Sequence, residues 1–237
     1  MFIDVVLNPA EIAQLAHRDL SATTCVVFDV LRATSSMVTA LAHGAAEIYP
    51  VCTIEEAWEL KGRLPEAILA GERHGERIAG FELGNSPFEF RKDMGARPLI
   101  TTTTNGTIAL RACAHARQVL VGAILNIAAL ARQIRLDTPS ALLIVCAGTG
   151  AEFALEDAAG AGILIHALAT AELSDSAQAV RALSALYPNP LDALLVARNG
   201  RVLVGKGRTQ EVEWCAQLSH YEVVPAMSSA VIRMLPR

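Results

Sequence analysis

The apolar residues of this chain change period again and again, and that alternation constrains the fold more than any other feature. Short β-branched or aliphatic runs alternate with alanine-rich stretches whose apolar residues recur at helical spacing. The runs predict strands over Ile3–Leu7, Cys25–Phe28, Glu47–Val51, Ala67–Ala70, Leu99–Thr102, Gln118–Val121, Leu142–Cys146 and Glu222–Val224. Several are almost wholly apolar, as expected of strands covered on both faces. Between them, Ser35 to His43 reads as a helix ending at Gly44, a residue suited to a helix C-terminus. Thr53-Ile54-Glu55-Glu56 and Ser86-Pro87-Phe88-Glu89 fit capping boxes that open further helices. Gly106–Ala116 and Asn126–Ile134 continue the alternation, and Glu156 to Ala185 reads as mostly helical. Tyr187-Pro188-Asn189-Pro190 breaks that region, Leu191–Arg198 resumes it, and Gly200 to Gly207 is ambiguous. This order predicts an α/β fold, a three-layer α/β/α arrangement around a mixed, largely parallel sheet. No internal repeat or long polar linker marks a boundary, so residues 1–237 read as one domain, any division into two lobes falling near 140–150.

Composition narrows the classes of function. With 52% hydrophobic and 19% charged residues the chain can build a sizeable core. Its formal net charge of -4 and the lack of a basic tail argue against an extended nucleic-acid partner. The longest apolar stretch, Ala158 to Ala171, is interrupted by His166 and is too short for a membrane span. Met1 to Pro9 reads as an opening strand and not as a signal peptide. Five widely spaced cysteines with no C-x-x-C pair fit a reduced, cytoplasmic protein. The six histidines show no zinc-ligand spacing. A homodimer is expected only because twofold homo-oligomers are common.

Four strand-to-turn segments can carry chemistry. Val26 to Ser36 delivers Asp29 at a strand end, then Arg32, then a Thr-Ser-Ser cluster able to open a helix. Ligands gather at such ends in parallel sheets. Asp29 can bind a metal, attack an electrophile or merely cap the turn; Arg32 can hold an anion. In Ala70-Gly71-Glu72-Arg73-His74-Gly75 the flanking glycines permit tight geometry, so Glu72 reads as a metal ligand and Arg73 as an anion clamp, or the pair as an exposed turn. Thr101 to Thr107 runs from strand through a hydroxyl-rich turn into a helix, and its N–H groups and helix dipole suit an anion. Cys146-Ala147-Gly148-Thr149-Gly150 repeats that logic ahead of Glu156 and Asp157, which point different ways on a helix. Neither turn is a P-loop or dinucleotide fingerprint. Asn85 and Ser86 can touch a ligand, although capping alone explains Ser86. Carboxylates mixed with arginines and hydroxyls suit Mg²⁺, a hard ion that shares phosphate oxygens.

Together, Phe28-Asp29-Val30-Leu31-Arg32-Ala33-Thr34, Ala70-Gly71-Glu72-Arg73, Gly80-Phe81-Glu82-Leu83-Gly84-Asn85-Ser86-Pro87, Thr102 to Thr107, and Cys146-Ala147-Gly148-Thr149 with Glu156-Asp157 resemble the 2-phosphosulfolactate phosphatase family. Five such segments in order span nearly the whole chain. Glu82 stands where the family pattern has aspartate, and Ala151 where glycine is common. The resemblance implies a Mg²⁺-dependent hydrolase that converts 2-phospho-3-sulfolactate to 3-sulfolactate and phosphate, a step of coenzyme M biosynthesis in methanogens. It implies Asp29, Glu72 and Asp157 (or Glu156) toward the metal, and Asp29, Arg32 and Arg73 as the catalytic set. Asn85, Ser86, Thr103, Thr104, Asn105, Gly106, Thr107, Gly148 and Thr149 would bind the small anionic phosphorylated substrate. Alternatives are a phosphatase of another small phosphorylated acid and a non-catalytic sensor of an anionic metabolite. A haloacid-dehalogenase-like mechanism is disfavoured, since the second aspartate it wants falls at Leu31.

Overall fold

The computed structural model describes residues 1–169 and 171–236. Its strands are β1 (Phe2–Val6), β2 (Thr23–Phe28), β3 (Ile48–Pro50), β4 (Ile68–Arg73), β5 (Glu76–Arg77), β6 (Leu99–Thr102), β7 (Gln118–Gly122), β8 (Ala141–Cys146), β9 (Glu172–Leu173), β10 (Pro225–Ser228) and β11 (Val231–Met234). They form one sheet in the order β5-β4-β6-β3-β11-β10-β7-β2-β8-β1-β9. Helices fill the connections: α1 (Pro9–Gln14), α2 (Ala33–Ala42), α3 (Ile54–Arg63), α4 (Gly106–Ala112), α5 (Ile127–Asp137), α6 (Leu155–Leu168), α7 (Asp175–Ala185), α8 (Pro190–Val196), α9 (Arg198–Gly205) and α10 (Thr209–Cys215).

The three layers follow from strand periodicity. Along β2, Cys25 and Val27 face a core with Met37, Leu41 and Leu110 of α2 and α4. Val26 and Phe28 face the opposite core, with Leu130, Ala158 and Ile165 of α5 and α6. β8 alternates in the same way, Leu143 and Val145 against Leu142 and Ile144. Each fully buried aliphatic or aromatic side chain here contributes roughly 1.5–3 kcal/mol of transfer free energy. A smaller third core, with Ala57, Leu69, Phe81 and Ile100, seals α3 onto the β4–β6 side.

The sheet contains two parallel blocks, β7-β2-β8-β1-β9 and β3-β6-β4. The β10–β11 hairpin joins them through three successive antiparallel pairings. The blocks therefore run in opposite senses along the sheet.

The predicted Glu222–Val224 strand is displaced. That segment is irregular, with the Val223 carbonyl accepting from Asn126 Nδ2 at 3.1 Å. The strand begins instead at Pro225, a position that needs no ladder N–H. The predicted Ser86 helix is only the 3-10 turn Pro87–Phe90. The long helical region splits into α6 and α7 around the short edge strand β9, and Thr170, within that region, lies outside the described residues. The ambiguous Gly200–Gly207 stretch is mostly α9, and α10 has no counterpart among the predicted elements. All five cysteines are free thiols. Among the described residues no helix is long and apolar enough to cross a membrane.

Candidate active site

Asp29 is the residue that follows β2, a strand buried from Thr24 onward, and it stands four residues ahead of α2. Its Oδ1 accepts the Ala33 N–H at 3.1 Å, and its own N–H donates to Thr34 Oγ1 at 3.0 Å. The capping reading of this aspartate is thus correct as far as one oxygen goes. Oδ2 packs against Gly106 so closely that a Cβ there would lie 2.5 Å away, which is why α4 must open with glycine. Asp29 borders a cavity of about 350 Å³ that Glu72, Thr104, Asn105, Gly148 and Arg198 also line.

Glu72 arrives from the other parallel block. Gly71 before it, at φ 153, lies where a Cβ would sit 2.2 Å from the Thr102 carbonyl oxygen, so only glycine lets β4 come this close to β6. Glu72 Oε1 then accepts from Thr104 N–H at 2.8 Å and Thr104 Oγ1 at 2.9 Å, while Oε2 accepts from Gly75 N–H at 2.7 Å. Asn105 ties this turn to the glycine-rich turn after β8: Nδ2 donates to the carbonyls of Ala147 and Gly150, and Oδ1 accepts from Gly150 N–H at 3.0 Å. The carboxyl ends of β2, β4, β6 and β8 therefore meet around one cavity.

Other residues singled out in the sequence lie elsewhere or are already engaged. Arg73 follows Glu72 in β4 and so points to the other face of the sheet. Its guanidinium donates to the Glu72 carbonyl and Thr102 Oγ1, at 2.7 and 2.9 Å, and Arg73 is not part of the cavity wall. Arg32 does reach the wall, but it is buried and paired with Glu211 at 2.5 Å. Thr103 and Thr107 lock the turn reciprocally, each hydroxyl accepting the other's N–H at 3.1 Å. Ser86 caps the Pro87 turn, whereas Asn85 lines the cavity. Asp157 accepts Val30 N–H at 2.8 Å and Gly148 N–H at 3.0 Å, so it clamps the β2 and β8 exits together from beneath the site. With Gly148, Thr149 and Gly150 N–H given to Asp157, the Glu152 carbonyl and Asn105, that turn holds its own shape with the amides it was expected to offer an anion.

The cavity is also lined by His74, from the Glu72 segment, and by four residues that no motif marked: Arg198, Asn199, Lys206 and Arg208. The weak signal for the last four is the density of basic residues between 198 and 208, in a region that reads as surface helix.

The family model described as 2-phosphosulpholactate phosphatase matches residues 10–230. This chain belongs to the 2-phosphosulfolactate phosphatase family. It is 40% identical to the "Probable 2-phosphosulfolactate phosphatase" of Carboxydothermus hydrogenoformans over 95% of this chain and 92% of that relative. Identity to the protein of the same name from Caldanaerobacter subterraneus subsp. tengcongensis is 37%, over 91% and 92% of the two chains. The Thermotoga maritima protein, also so named, is 33% identical over 97% and 96%.

The acidic residues of this family member repel one another in a dry setting. Burial pushes the Asp29 carboxyl up to about 7, with Glu72 and Glu156 adding to the rise and the Ala33 N–H and Arg32 opposing it. Burial also raises Glu156, and raises Asp157 well above the carboxylate range with the charges of Asp29 and Glu156 adding to it. Glu156 Oε1 accepts from Asn199, but Oε2 is buried with no partner among the described residues.

Glu156 is not part of the cavity wall, so its orphaned oxygen adds to the charge behind the site and is not offered to a cation in the cavity. Among the described residues no group of three or more His, Cys, Asp or Glu side chains is arranged to hold a metal ion. Asp29 and Glu72 are the two carboxylates on the cavity wall, and such a pair suits Mg²⁺, which takes one or two carboxylates and completes its shell from water and phosphate.

The raised Asp29 has a consequence for stability. Between its ordinary value of 3.8 and about 7 the folded protein holds a proton that the unfolded chain has released. Stability in chelator should therefore fall as pH rises through that window, by on the order of a few kcal/mol. Asp29→Asn should make the decline shallower in urea unfolding. An unchanged slope in that variant would assign the effect to other groups.

Proposed function

We propose that this protein is a Mg²⁺-dependent phosphatase that hydrolyses 2-phospho-3-sulfolactate to 3-sulfolactate and inorganic phosphate. The observation that carries the reading is the convergence of Asp29 and Glu72 with basic side chains around one cavity, in a chain of this family. The substrate's three acid groups give it a dense negative charge, and phosphoryl transfer depends mostly on alignment and charge neutralisation. Asp29 and Glu72 would hold Mg²⁺, which when bound supplies neutralisation of phosphate charge.

The chain's own residues do the rest. Glu72 fixes the Thr104 turn and the Gly75 turn, so two loops keep their positions as the anion enters. Asn105 keeps the β6 and β8 turns at fixed separation. Asp29, with Oδ1 held by Ala33, lines the cavity. There its carboxylate can take a proton from a water that attacks phosphorus as the P–O bond to the substrate's 2-oxygen breaks and that oxygen is protonated. Or it can attack phosphorus itself with loss of the same alcohol, water then cleaving the acyl phosphate to release inorganic phosphate. Arg32 counters the acidic cluster from within the wall, its own charge balanced by Glu211.

The test is phosphate release from 2-phosphosulfolactate, with Mg²⁺ and with chelator. Turnover should require the metal, and Mg²⁺ should raise the melting temperature of the wild type but not of Asp29→Asn. Binding without turnover would make the protein a metabolite sensor; turnover undiminished in chelator would remove the metal from the reading.

A further inference from the structure

The cations that face this cavity without being buried lie on α9 and the loop after it, and two of them share one exposed carboxylate. Lys206 Nζ donates to Glu76 Oε1 at 2.6 Å, and Arg208 Nη2 donates to Glu76 Oε2 at 3.1 Å. Each oxygen of one acid group thus takes one cation, the pattern a second oxyanion would need. Lys206 and Arg208 line the cavity, whereas Glu76 is not part of its wall and stands on the two-residue strand β5. Its side chain is 58% exposed, against 37% and 31% for Lys206 and Arg208. Exposed pairs of this kind contribute little to stability, so exchange of one anion for another is cheap.

The fold also fixes this wall. Asn199 Nδ2 donates to Thr149 Oγ1 and Glu156 Oε1, both at 2.6 Å, which pins the start of α9 to the β8 turn. At the other end the Gly75 carbonyl accepts from Arg208 at 3.2 Å and from Arg32 at 3.1 Å. Arg32 is already neutralised by Glu211, and Arg73 faces away. Arg198, the other exposed cation of the wall, has Glu152 to itself, whereas Lys206 and Arg208 share a single carboxylate and so can take the substrate's charge remote from the phosphate.

We propose that Lys206 and Arg208 form the subsite for the sulfonate of the substrate, and that Glu76 occupies this subsite until the sulfonate displaces it. The inference rests on the phosphatase reading above. The carboxylate of 2-phosphosulfolactate is on the same carbon as the phosphate ester, so it stays near the reacting end; the sulfonate is carried on the next carbon and reaches outward. Like a carboxylate it is an ionised oxyanion with several acceptor oxygens, suited to a lysine and an arginine together.

Steady-state kinetics of the full-length protein on 2-phosphosulfolactate and on 2-phospholactate, which lacks only the sulfonate, test the subsite. Lys206→Ala and Arg208→Ala should each lower the ratio of kcat/KM for the first substrate over the second by about tenfold or more, chiefly through KM, as loss of a charge-assisted hydrogen bond does. Lys206→Arg should keep most of the ratio. Glu76→Gln should lower KM for 2-phosphosulfolactate about threefold, because the competing internal anion is gone. An unmoved ratio in both alanine variants, with a wild type that turns over, overturns the subsite and leaves the phosphatase reading standing. A higher KM in Glu76→Gln overturns the stand-in role. A wild type that releases no phosphate from either compound overturns both readings.

Discussion

Asp29→Asn is expected to lower phosphate release by about a thousandfold, within the range seen when an acid–base group is removed, while the protein stays folded. The substitution spares the structural part of the residue. Asparagine keeps the oxygen that accepts from Ala33, and the backbone exchange with Thr34 does not involve the carboxylate at all. What it removes is the charge on the oxygen that packs over Gly106 at the cavity wall. With the charge gone, burial no longer works against this side chain, so the variant should be as stable as the wild type above pH 7 or more so. Phosphate release and urea unfolding measured on the same preparation separate the two effects. Turnover within a few-fold of wild type would take Asp29 out of the chemistry.

Asp157→Ala should have the largest effect on stability, a loss of about 3–5 kcal/mol, because each buried donor left unpaired costs about 1–3 kcal/mol and the excised carboxyl leaves a void. The donors are the N–H groups of Val30 and Gly148, at the exits of two adjacent strands. Against a typical domain stability of about 5–15 kcal/mol that is a substantial fraction. Catalysis should fall too, since both exits border the cavity. Asp157→Asn keeps one acceptor but turns an NH₂ toward a backbone donor, so an intermediate loss is expected. A shift below about 1 kcal/mol in urea unfolding of Asp157→Ala would mean that the two amides find other partners. The same result would reopen Asp157 as a ligand, the role its adjacency to Glu156 left undecided in the sequence.

The contrast between Asp157 and Glu156 shows where sequence reading stopped. Neighbours on a helix point about 100° apart, so one faces the strand exits and the other does not, but helical phase relative to the sheet is not written in the sequence. For Glu72 and Arg73 the strand rule was available, and it separates them: adjacent residues in β4 cannot both enter one cleft. Reading that segment as a glycine-bounded turn hid the rule, because β4 extends to Arg73.

What the sequence determined alone is local. The apolar periods of Thr23–Phe28 and Ala141–Cys146 force strands buried on both faces, and the hydroxyl- and glycine-rich turns that follow locate strand ends where backbone geometry is special. Those signals act within a few residues of chain and survive any packing. Tertiary structure alone decided which ends meet, and which cations face them. Lys206 reaches Glu76 across 130 positions and Arg32 reaches Glu211 across 179. Such pairings depend on the order in which strands join the sheet, and here on a C-terminal hairpin inserted between two parallel blocks. No residue type or spacing encodes that insertion, because its cause is the fit of two hydrophobic faces distant in sequence.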